Sequence, residues 1–239
     1  ILKHKNYLFV IANKNRKPID KIVNEGAEEV KSFEDFANKN LDALIMCVTN
    51  TPIAKSISEK ISKVLNSKTL IIDITTHNKT GSIETEQIFK SNNINYIECP
   101  VMGGPGQAEE GILGGIVGGS DENFKLSEPY LKMFCKDYFY FGPVGMGAKS
   151  KLLNNFLSLG NAALVNHLAK TATELGLDLQ KVFDVAKLGS GNSAGLIRIF
   201  ESLLKGDFKG FKFTATNSVK DLSYIQDLLK DFPEAEKVA

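Results

Sequence analysis

The chain has 239 residues, of which 43% are hydrophobic and 24% are charged, and 29 Lys and Arg against 28 Asp and Glu leave a formal charge of +1. These values are typical of a soluble globular protein with one large domain or two modest ones, and they exclude a disordered or collagen-like chain. No apolar run approaches the ~18 residues that a membrane span needs. A nearly neutral chain gives no electrostatic reason to expect nucleic acid or an anionic membrane as a partner.

The three cysteines, Cys47, Cys99 and Cys135, are odd in number, widely spaced and set in apolar runs. This pattern predicts reduced, buried thiols in a cytoplasmic protein rather than a disulfide framework or a zinc site. No metal site is expected.

The first part of the chain alternates short apolar runs with amphipathic stretches. The predicted strands cover 7–12, 41–48, 69–74 and 95–99, and the predicted helices cover 18–25, 52–65 and 81–91. Strands that alternate with helices form right-handed βαβ units, and continuous apolar runs are typical of strands that are buried on both faces. We therefore expect an α/β, Rossmann-like domain with a mostly parallel sheet over residues 1–147.

After two further strands, at 112–117 and 138–141, strand signals end. Apolar residues then recur at intervals of three and four from Ala148 to Leu175, which predicts one long helix, and further helices are predicted from Asp178, at 196–204 and at 217–230. An all-α domain at 148–239 thus follows, joined to the first by the long helix. This helix predicts a homodimer or homotetramer, because one small helical domain would not bury all its apolar faces.

Ligands of doubly wound sheets bind at the carboxyl ends of the strands, so the residues after each strand are the first candidates. Asn13, Lys14, Arg16 and Lys17 follow the first strand, with no acidic residue among them. In a dinucleotide fold, an acid at this place binds the ribose 2′-hydroxyl of NAD, whereas basic residues accommodate the 2′-phosphate of NADP. The turn favours NADP, with NAD as the alternative, although a solvated basic turn has the same composition.

Small polar side chains follow the next two strands. Helix capping by Thr49 or Thr51 explains them, and so does hydrogen bonding to a bound dinucleotide, and the two roles are compatible. His77 has no evident partner in sequence, and we interpret it as a surface histidine. The candidate cofactor-binding residues of these two loops are Val48, Thr49, Asn50, Thr75 and Thr76.

The segment 99–119 is rich in glycine, which indicates close approach of its backbone to another element or to a ligand. Gly104-Pro105-Gly106 superficially opens a Gly-x-Gly-x-x-Gly motif, but Glu109 and Glu110 would repel a pyrophosphate. We interpret the Gly103 and Gly104 amides instead as a site for a small anion such as a substrate carboxylate.

Lys151 and Asn155 are four residues apart near the start of the long helix, so they share one face of it. Such a pair is usually a solvated face. Here the helix is otherwise apolar and connects two domains, and a lysine that is desolvated at a domain boundary is suited to proton transfer. Spacing alone leaves both alternatives open.

Three ordered stretches make the chain resemble the β-hydroxyacid dehydrogenase family. The family's Asp-Ala-Pro-Val-Ser-Gly-Gly, with a following Ala and Gly, is similar to residues 98–104, Ala108 and Gly111. Its Gly-x-Gly and Lys-x-x-x-Asn are matched by Gly145, Gly147, Lys151 and Asn155. Its Phe seven residues before Lys-Asp-Leu is matched by Phe213 and 220–222.

The resemblance implies that the chain interconverts a small β-hydroxyacid and its aldehyde or keto acid. Lys151 would protonate the carbonyl oxygen as NADPH delivers hydride, and would act as the base in the reverse direction. Asn155 would orient the small carboxylic-acid substrate. The resemblance also implies substrate contacts at Met102, Gly103, Gly104 and Asp221, and cofactor contacts at Phe213 and Lys220.

Two departures from the family pattern affect these expectations. Met102 stands where the family has serine, which removes a hydroxyl from the carboxylate site and favours a less polar group at the 2-position of the substrate. No residues match the family's first strand and Gly-x-Gly-x-x-Gly loop. We expect residues 1–5 to end the helix that follows that loop, and residue 239 to stop short of a final helix.

Two rival functions remain. Imine reductases resemble this family with the lysine replaced, and the presence of Lys151 argues against them. A non-catalytic binding or oligomerisation module with a dehydrogenase fold would also lose the lysine, and often carries a chromatin-reading extension that no part of this sequence matches.

Overall fold

The computed structural model describes residues 8–11, 16–207 and 213–237. It divides the chain into two compact units, with the boundary between Lys151 and Leu152. The first unit is α/β and the second is helical, which confirms the predicted fold class. The predicted domain limits, 1–147 and 148–239, stay a prediction. Residues 1–7 and 12–15, which hold the expected helix end and part of the first predicted strand, lie outside the described residues.

The α/β unit holds eight strands and five helices within the part of the chain that the structure describes. Its strands are β1 (Phe9–Val10), β2 (Glu28–Glu29), β3 (Ala43–Met46), β4 (Leu70–Asp73), β5 (Asn95–Glu98), β6 (Val101–Met102), β7 (Leu113–Val117) and β8 (Cys135–Tyr140). Its helices are α1 (Arg16–Asn24), α2 (Thr51–Ile61), α3 (Gly81–Lys90), α4 (Pro105–Glu110) and α5 (Asp121–Leu131), with a 3₁₀ turn at Glu34–Asn38.

Most strand pairs are parallel, as the alternating pattern predicts. β3, β4 and β5 lie side by side, with Ala43 opposite Leu70 and Leu70 opposite Asn95. β1 pairs with β2 and β7 with β8 in the same sense, whereas β6 runs antiparallel to β7. The central strand β4 is buried along its whole length.

Two apolar clusters form the core of this unit. Successive side chains of a strand point to opposite faces, so Ile71 and Ile72 of β4 enter different clusters. Ile72 packs with Ile97 and Leu131, and Ile71 packs with Phe89 and Tyr96. The carboxyl ends of β3, β4 and β5 therefore lie at one edge of a sheet that is packed on both faces.

The long helix α6 (Met146–Glu174) begins in the α/β unit and continues into the helical unit. The other helices are α7 (Leu179–Leu188), α8 (Ala194–Leu204), α9 (Ala215–Leu229) and α10 (Pro233–Glu236). The Phe183 and Phe200 rings stack at 5.2 Å in one core cluster, and Leu152 and Ile225 belong to another. None of the helices in the described ranges is long and apolar enough to cross a membrane.

Several local expectations are wrong. The strand predicted at 41–48 is shorter, and α2 is capped by the Asn50 side chain, which accepts from the Ile53 amide at 3.0 Å, rather than by Thr49 or Thr51. No predicted element corresponds to β2, β6 or α4, which are very short, or to α5, which contains Pro129.

Candidate active site

Lys151 lies in the second turn of α6 and is only 9% exposed, which contradicts the alternative of a solvated face. Its Nζ donates to the carbonyl oxygen of Val101 at 2.8 Å and lies 4.0 Å from Sδ of Met102. The structure thus brings the ammonium to β6, directly before the two glycines of the predicted substrate stretch. The catalytic role of Lys151 stays a prediction.

Met102 is half-buried beside that ammonium. It lies opposite Gly114 in the antiparallel pair of β6 and β7, and a Cβ atom on Gly114 would come within 3.3 Å of the Met102 Cβ. Glycine at 114 therefore leaves room for the thioether next to Lys151, where the resembling family has a hydroxyl.

The two glycines after Met102 differ in backbone conformation and in the hydrogen bonding of their amides. Gly103 has a positive φ of 116° and is exposed, so it turns the chain away from β6. Gly104 is the N-cap of α4, and its amide donates to Oε1 of Gln107 at 2.9 Å. A substrate carboxylate would have to displace the Gln107 side chain from the Gly104 amide, and the predicted anion site stays a prediction.

Glu98 is a buried acid at the start of the motif at 98–104, and no role is predicted for it from the sequence. Its carboxylate accepts hydrogen bonds from the amides of Gly145 at 2.6 Å, Gly147 at 2.8 Å and Ala148 at 3.2 Å. Burial raises the pKa of the Glu98 carboxyl, and the hydrogen bonds partly offset that increase. Glu98 thus meets the start of the helix that carries Lys151.

His77 is 1% exposed, so its interpretation as a surface histidine is wrong. Its Nε2 lies 2.7 Å from Oδ2 of Asp73 and its Nδ1 lies 3.2 Å from Oγ1 of Thr51. The Tyr96 hydroxyl also donates to Asp73 Oδ2, at 3.0 Å, and burial raises the pKa of Tyr96 well above its ordinary value. Asp73 lies four residues before His77 along the chain and could have been considered as its partner, whereas Thr51 comes from a distant segment that the sequence around His77 does not show.

The loops after β3 and β4 lie next to each other, because the two strands are parallel neighbours. The Val48 amide donates to Oγ1 of Thr75 at 3.2 Å, and Thr75 is buried. The Thr75 hydroxyl is therefore used to join the two loops. Thr49 is exposed and Thr76 is half-buried, so their polar groups lie at the open edge, where a dinucleotide fits a doubly wound sheet.

The basic turn after β1 contains an ion-pair network. Asn13 and Lys14 lie outside the described residues, and Arg16 begins α1. The guanidinium of Arg16 bonds to Asp20 at 2.7 Å and to Oε2 of Glu29 at 3.1 Å. Both contacts raise the pKa of Arg16, and the hydrogen bond to Glu29 makes the larger contribution. Pairing of β1 with β2 brings Glu29 to Arg16, so an acid accompanies the turn in space although none stands among residues 12–17 of the sequence.

The helical unit contains its own buried polar pair. Asn155 Nδ2 donates to Oδ2 of Asp221 at 2.6 Å, and both residues are buried. Lys220 Nζ lies 2.9 Å from Asp221 Oδ1 and 5.4 Å from the centre of the Tyr224 ring. Asp221 thus fixes the amide orientation of Asn155, and its direct contact with substrate stays a prediction. Phe213 is partly exposed just before α9.

The cysteines do not all follow the prediction. Cys99 and Cys135 are buried, but Cys47 is exposed, because β3 ends at Met46 and leaves Cys47 beyond the sheet. Within the described ranges, no group of three or more His, Cys, Asp or Glu side chains is placed to hold a metal ion.

Two family models match the chain and together cover most of it. One describes the NAD-binding domain of 6-phosphogluconate dehydrogenase and matches residues 1–142. The other describes the NAD-binding domain of NADP-dependent 3-hydroxyisobutyrate dehydrogenase and matches residues 145–234.

Individual proteins are similar to the chain at low identity. A 2-(hydroxymethyl)glutarate dehydrogenase of Eubacterium barkeri is 25% identical over 193 residues, which are 79% of this chain and 64% of that protein. A crystal structure of 3-hydroxyisobutyrate dehydrogenase from Salmonella typhimurium superposes with a TM-score of 0.87 at 21% identity, over 97% of this chain and 81% of that one. The structure of an imine reductase from Myxococcus stipitatus in complex with NADP+ superposes with a TM-score of 0.69 at 16% identity, over 86% of this chain and 71% of that one.

Proposed function

The chain belongs to the β-hydroxyacid dehydrogenase family, and from this premise we propose that it interconverts a small β-hydroxyacid and its aldehyde or keto acid. The observation that carries the proposal is the buried Lys151, whose Nζ donates to the Val101 carbonyl at 2.8 Å beside residues 102–104. A nicotinamide cofactor, when bound, supplies the hydride.

Lys151 acts on the oxygen of the substrate in this proposal. Reduction of a carbonyl builds negative charge on that oxygen, and a positioned ammonium both stabilises the charge and donates the proton. In the oxidative direction the neutral amine accepts the hydroxyl proton. The Val101 carbonyl supports this role, because it holds the ammonium at a fixed place next to the substrate stretch.

We propose NADP as the preferred cofactor. Arg16 lies at the turn after β1, where a 2′-phosphate would bind, and one matching family model is described as NADP-dependent. Glu29 and Asp20 compete for the same guanidinium, so the preference depends on how readily a phosphate replaces them. At the edge formed by the next two loops, Thr49, Asn50 and Thr76 would hold the rest of the dinucleotide.

We propose a substrate with a small apolar group at the 2-position. Met102 places a thioether where the family has a hydroxyl, and its Sδ lies 4.0 Å from Lys151 Nζ. A thioether packs against carbon but is only a weak hydrogen-bond acceptor. The carboxylate of the substrate then relies on backbone amides of the glycine stretch.

We also propose a homo-oligomer, a dimer or a tetramer. Large apolar side chains of α6, α7 and the turn between them are exposed, and exposed apolar patches of this kind are typical of protein interfaces. They are Leu157, Leu164, Leu168, Leu175, Val185 and Leu188. A second copy of the chain is the proposed partner.

A reducing compartment such as the cytoplasm is the proposed location. Cys47, Cys99 and Cys135 are all unpaired. Unpaired buried thiols are typical of proteins that are not oxidised during folding.

The test of the activity is the near-UV absorbance change of NADPH and NADH with a panel of short semialdehyde acids. The wild-type protein is compared with Lys151→Ala and with Lys170→Ala, which removes an exposed lysine further along the same helix. We expect the first variant to lose about three orders of magnitude in kcat/KM and the second to match the wild type. Turnover of cyclic imines but not of semialdehydes would favour the imine reductase alternative instead.

A further inference from the structure

Glu98 joins the strand before the substrate stretch to the helix that carries Lys151. It is the last residue of β5 and is fully buried. One carboxylate oxygen accepts from the Gly145 and Gly147 amides, and the other accepts from the Ala148 amide. These donors belong to the first turn of α6 and the residue before it, where helix amides have no partner within the helix.

Glycines leave the space that this carboxylate occupies. A Cβ atom on Gly118 would overlap Oε1 of Glu98, and one on Gly147 would lie 3.1 Å from the same atom and 3.0 Å from the Ile116 carbonyl oxygen. Close approach to Glu98 thus explains the glycine at 147, whereas Gly145 is explained by its positive φ of 98° and by the nearby Ile83 side chain. The contact is built from three separate segments of the α/β unit.

The main chain of Glu98 is fixed as firmly as its side chain. Glu98 and Gly118 exchange two backbone hydrogen bonds, at 2.9 and 3.0 Å. Three residues later, the Val101 carbonyl accepts the hydrogen bond of Lys151 Nζ. One residue therefore holds both the start of the lysine helix and the strand that receives the lysine.

The charge of Glu98 also matters for Lys151. The amino-terminal end of a helix carries a partial positive charge of about half a unit, which acts mainly on groups in the first turn and less on the Lys151 ammonium in the second. A carboxylate at that end offsets this charge. The other groups that interact with Glu98 are Ser82 of α3, His77 of the loop after β4, and its chain neighbours Tyr96 and Cys99. None of them replaces a full negative charge at the α6 amides.

We propose that Glu98 is a positioning residue for the proposed reaction, which fixes the start of α6 and keeps Lys151 charged and seated on Val101. Its catalytic consequence rests on the proposed function, whereas its effect on the lysine does not. The test therefore measures the lysine directly, in addition to turnover.

The direct measurement is competition labelling with acetic anhydride across a pH series, read for Lys151 and for Lys170 in the same digest by mass spectrometry. The proteins are the wild type, Glu98→Gln, Gly118→Ala and the control Glu128→Gln, which removes a carboxylate that accepts from the Tyr138 hydroxyl away from α6. In Glu98→Gln, we expect the Lys151 pKa to fall by about one unit, because a negative charge near an ammonium is lost. Gly118→Ala displaces the carboxylate without changing charge, and a smaller shift in the same direction is expected.

Turnover adds a second readout. In Glu98→Gln, kcat should fall about tenfold to a hundredfold with little change in KM, and the lysine-dependent limb of the pH profile should move with the labelling result. Glu128→Gln should leave both readouts at the wild-type values. A shift of Lys151 labelling without any hydroxyacid turnover in the wild type would support the positioning role and contradict the proposed function.

Unchanged Lys151 labelling and an unchanged pH profile in folded Glu98→Gln would overturn the proposal. If Glu98→Gln does not fold, Gly118→Ala decides the matter by itself. Wild-type reactivity of Lys151 in folded Gly118→Ala would then overturn the positioning role.

Discussion

Among the described residues, buried polar side chains are more numerous in the α/β unit, whereas exposed large apolar side chains are more numerous in the helical unit. The α/β unit buries polar groups at its strand ends, and Asp73, His77 and Glu98 are all 1% exposed or less. The helical unit exposes apolar groups, and Leu157, Leu164 and Leu188 are 72%, 71% and 89% exposed. Each unit nevertheless has an apolar core of its own.

The difference separates two tasks. Burying a polar group is costly unless it is paired, and Asp73, His77 and Glu98 are each tied to particular partners, which fixes the local geometry. That is what a catalytic lysine and a cofactor edge require. An exposed apolar surface fixes no geometry by itself, and it is stabilised only when another surface covers it.

The largest expected effect contrasts one residue from each unit. Lys151→Ala should lower kcat/KM by about a thousandfold, because it removes the proposed proton donor, whereas Asn155→Ala should lower it by about tenfold to a hundredfold, because it removes a proposed orienting group. Steady-state kinetics with NADPH measures both. An equal loss in the two variants would remove the distinction between proton transfer and orientation.

The free energy of unfolding should be sensitive to a buried polar side chain of the α/β unit and insensitive to an exposed apolar side chain of the helical unit. His77→Leu leaves the buried Asp73 carboxylate with fewer partners and should lower the free energy of unfolding by about 2–4 kcal/mol. Val219→Ser changes an exposed side chain of α9 outside the proposed interface and should change the free energy of unfolding by less than about 0.5 kcal/mol. Urea unfolding followed by circular dichroism gives both values. A His77→Leu protein as stable as the wild type would contradict the structural role of the buried network.

Oligomeric state should depend on the helical unit alone. Replacing Leu157 and Leu164 together with Asp should lower the molar mass in solution to that of one chain, because charges would enter the proposed interface. Phe139→Asp, on the exposed edge strand β8 of the α/β unit, is the matched control and should keep the wild-type mass. Light scattering after size exclusion measures this. Dissociation by the control alone would place the interface on the α/β unit.

The smallest expected effect concerns cofactor choice. Glu29→Gln removes a carboxylate from Arg16 and should raise the preference for NADPH over NADH by about two- to fivefold, since an exposed ion pair of this kind contributes little. Glu28→Gln, which removes the partner of Lys39 instead, should leave the ratio unchanged. The ratio of kcat/KM for the two cofactors is the measurement. A ratio that falls in Glu29→Gln would mean that Arg16 does not meet the 2′-phosphate.

The sequence could predict whatever depends on residues near each other along the chain. Alternating apolar runs predicted β3, β4 and β5, and a three-to-four periodicity predicted α6 within two residues at its start. His77 and Arg16 each contact one acid four residues away along the chain, which the sequence could have indicated. Their other partners, and those of Glu98, come from other strands and loops. Glu29 reaches Arg16 only because β1 pairs with β2, and the Glu98 donors lie at least 47 residues later in the chain. Such contacts follow from tertiary packing and leave no local signal.

The glycines around Glu98 have a consequence for how sequences of this family can drift. Positions 98, 118 and 147 share one small volume, so a change at one of them alters which residues the others accept. A chain that shortens Glu98 to Asp frees space beside Gly118, and alanine there then becomes tolerable. Alanine at 118 should therefore be found in homologues together with Asp at 98, and Glu at 98 should be found together with glycine at 118.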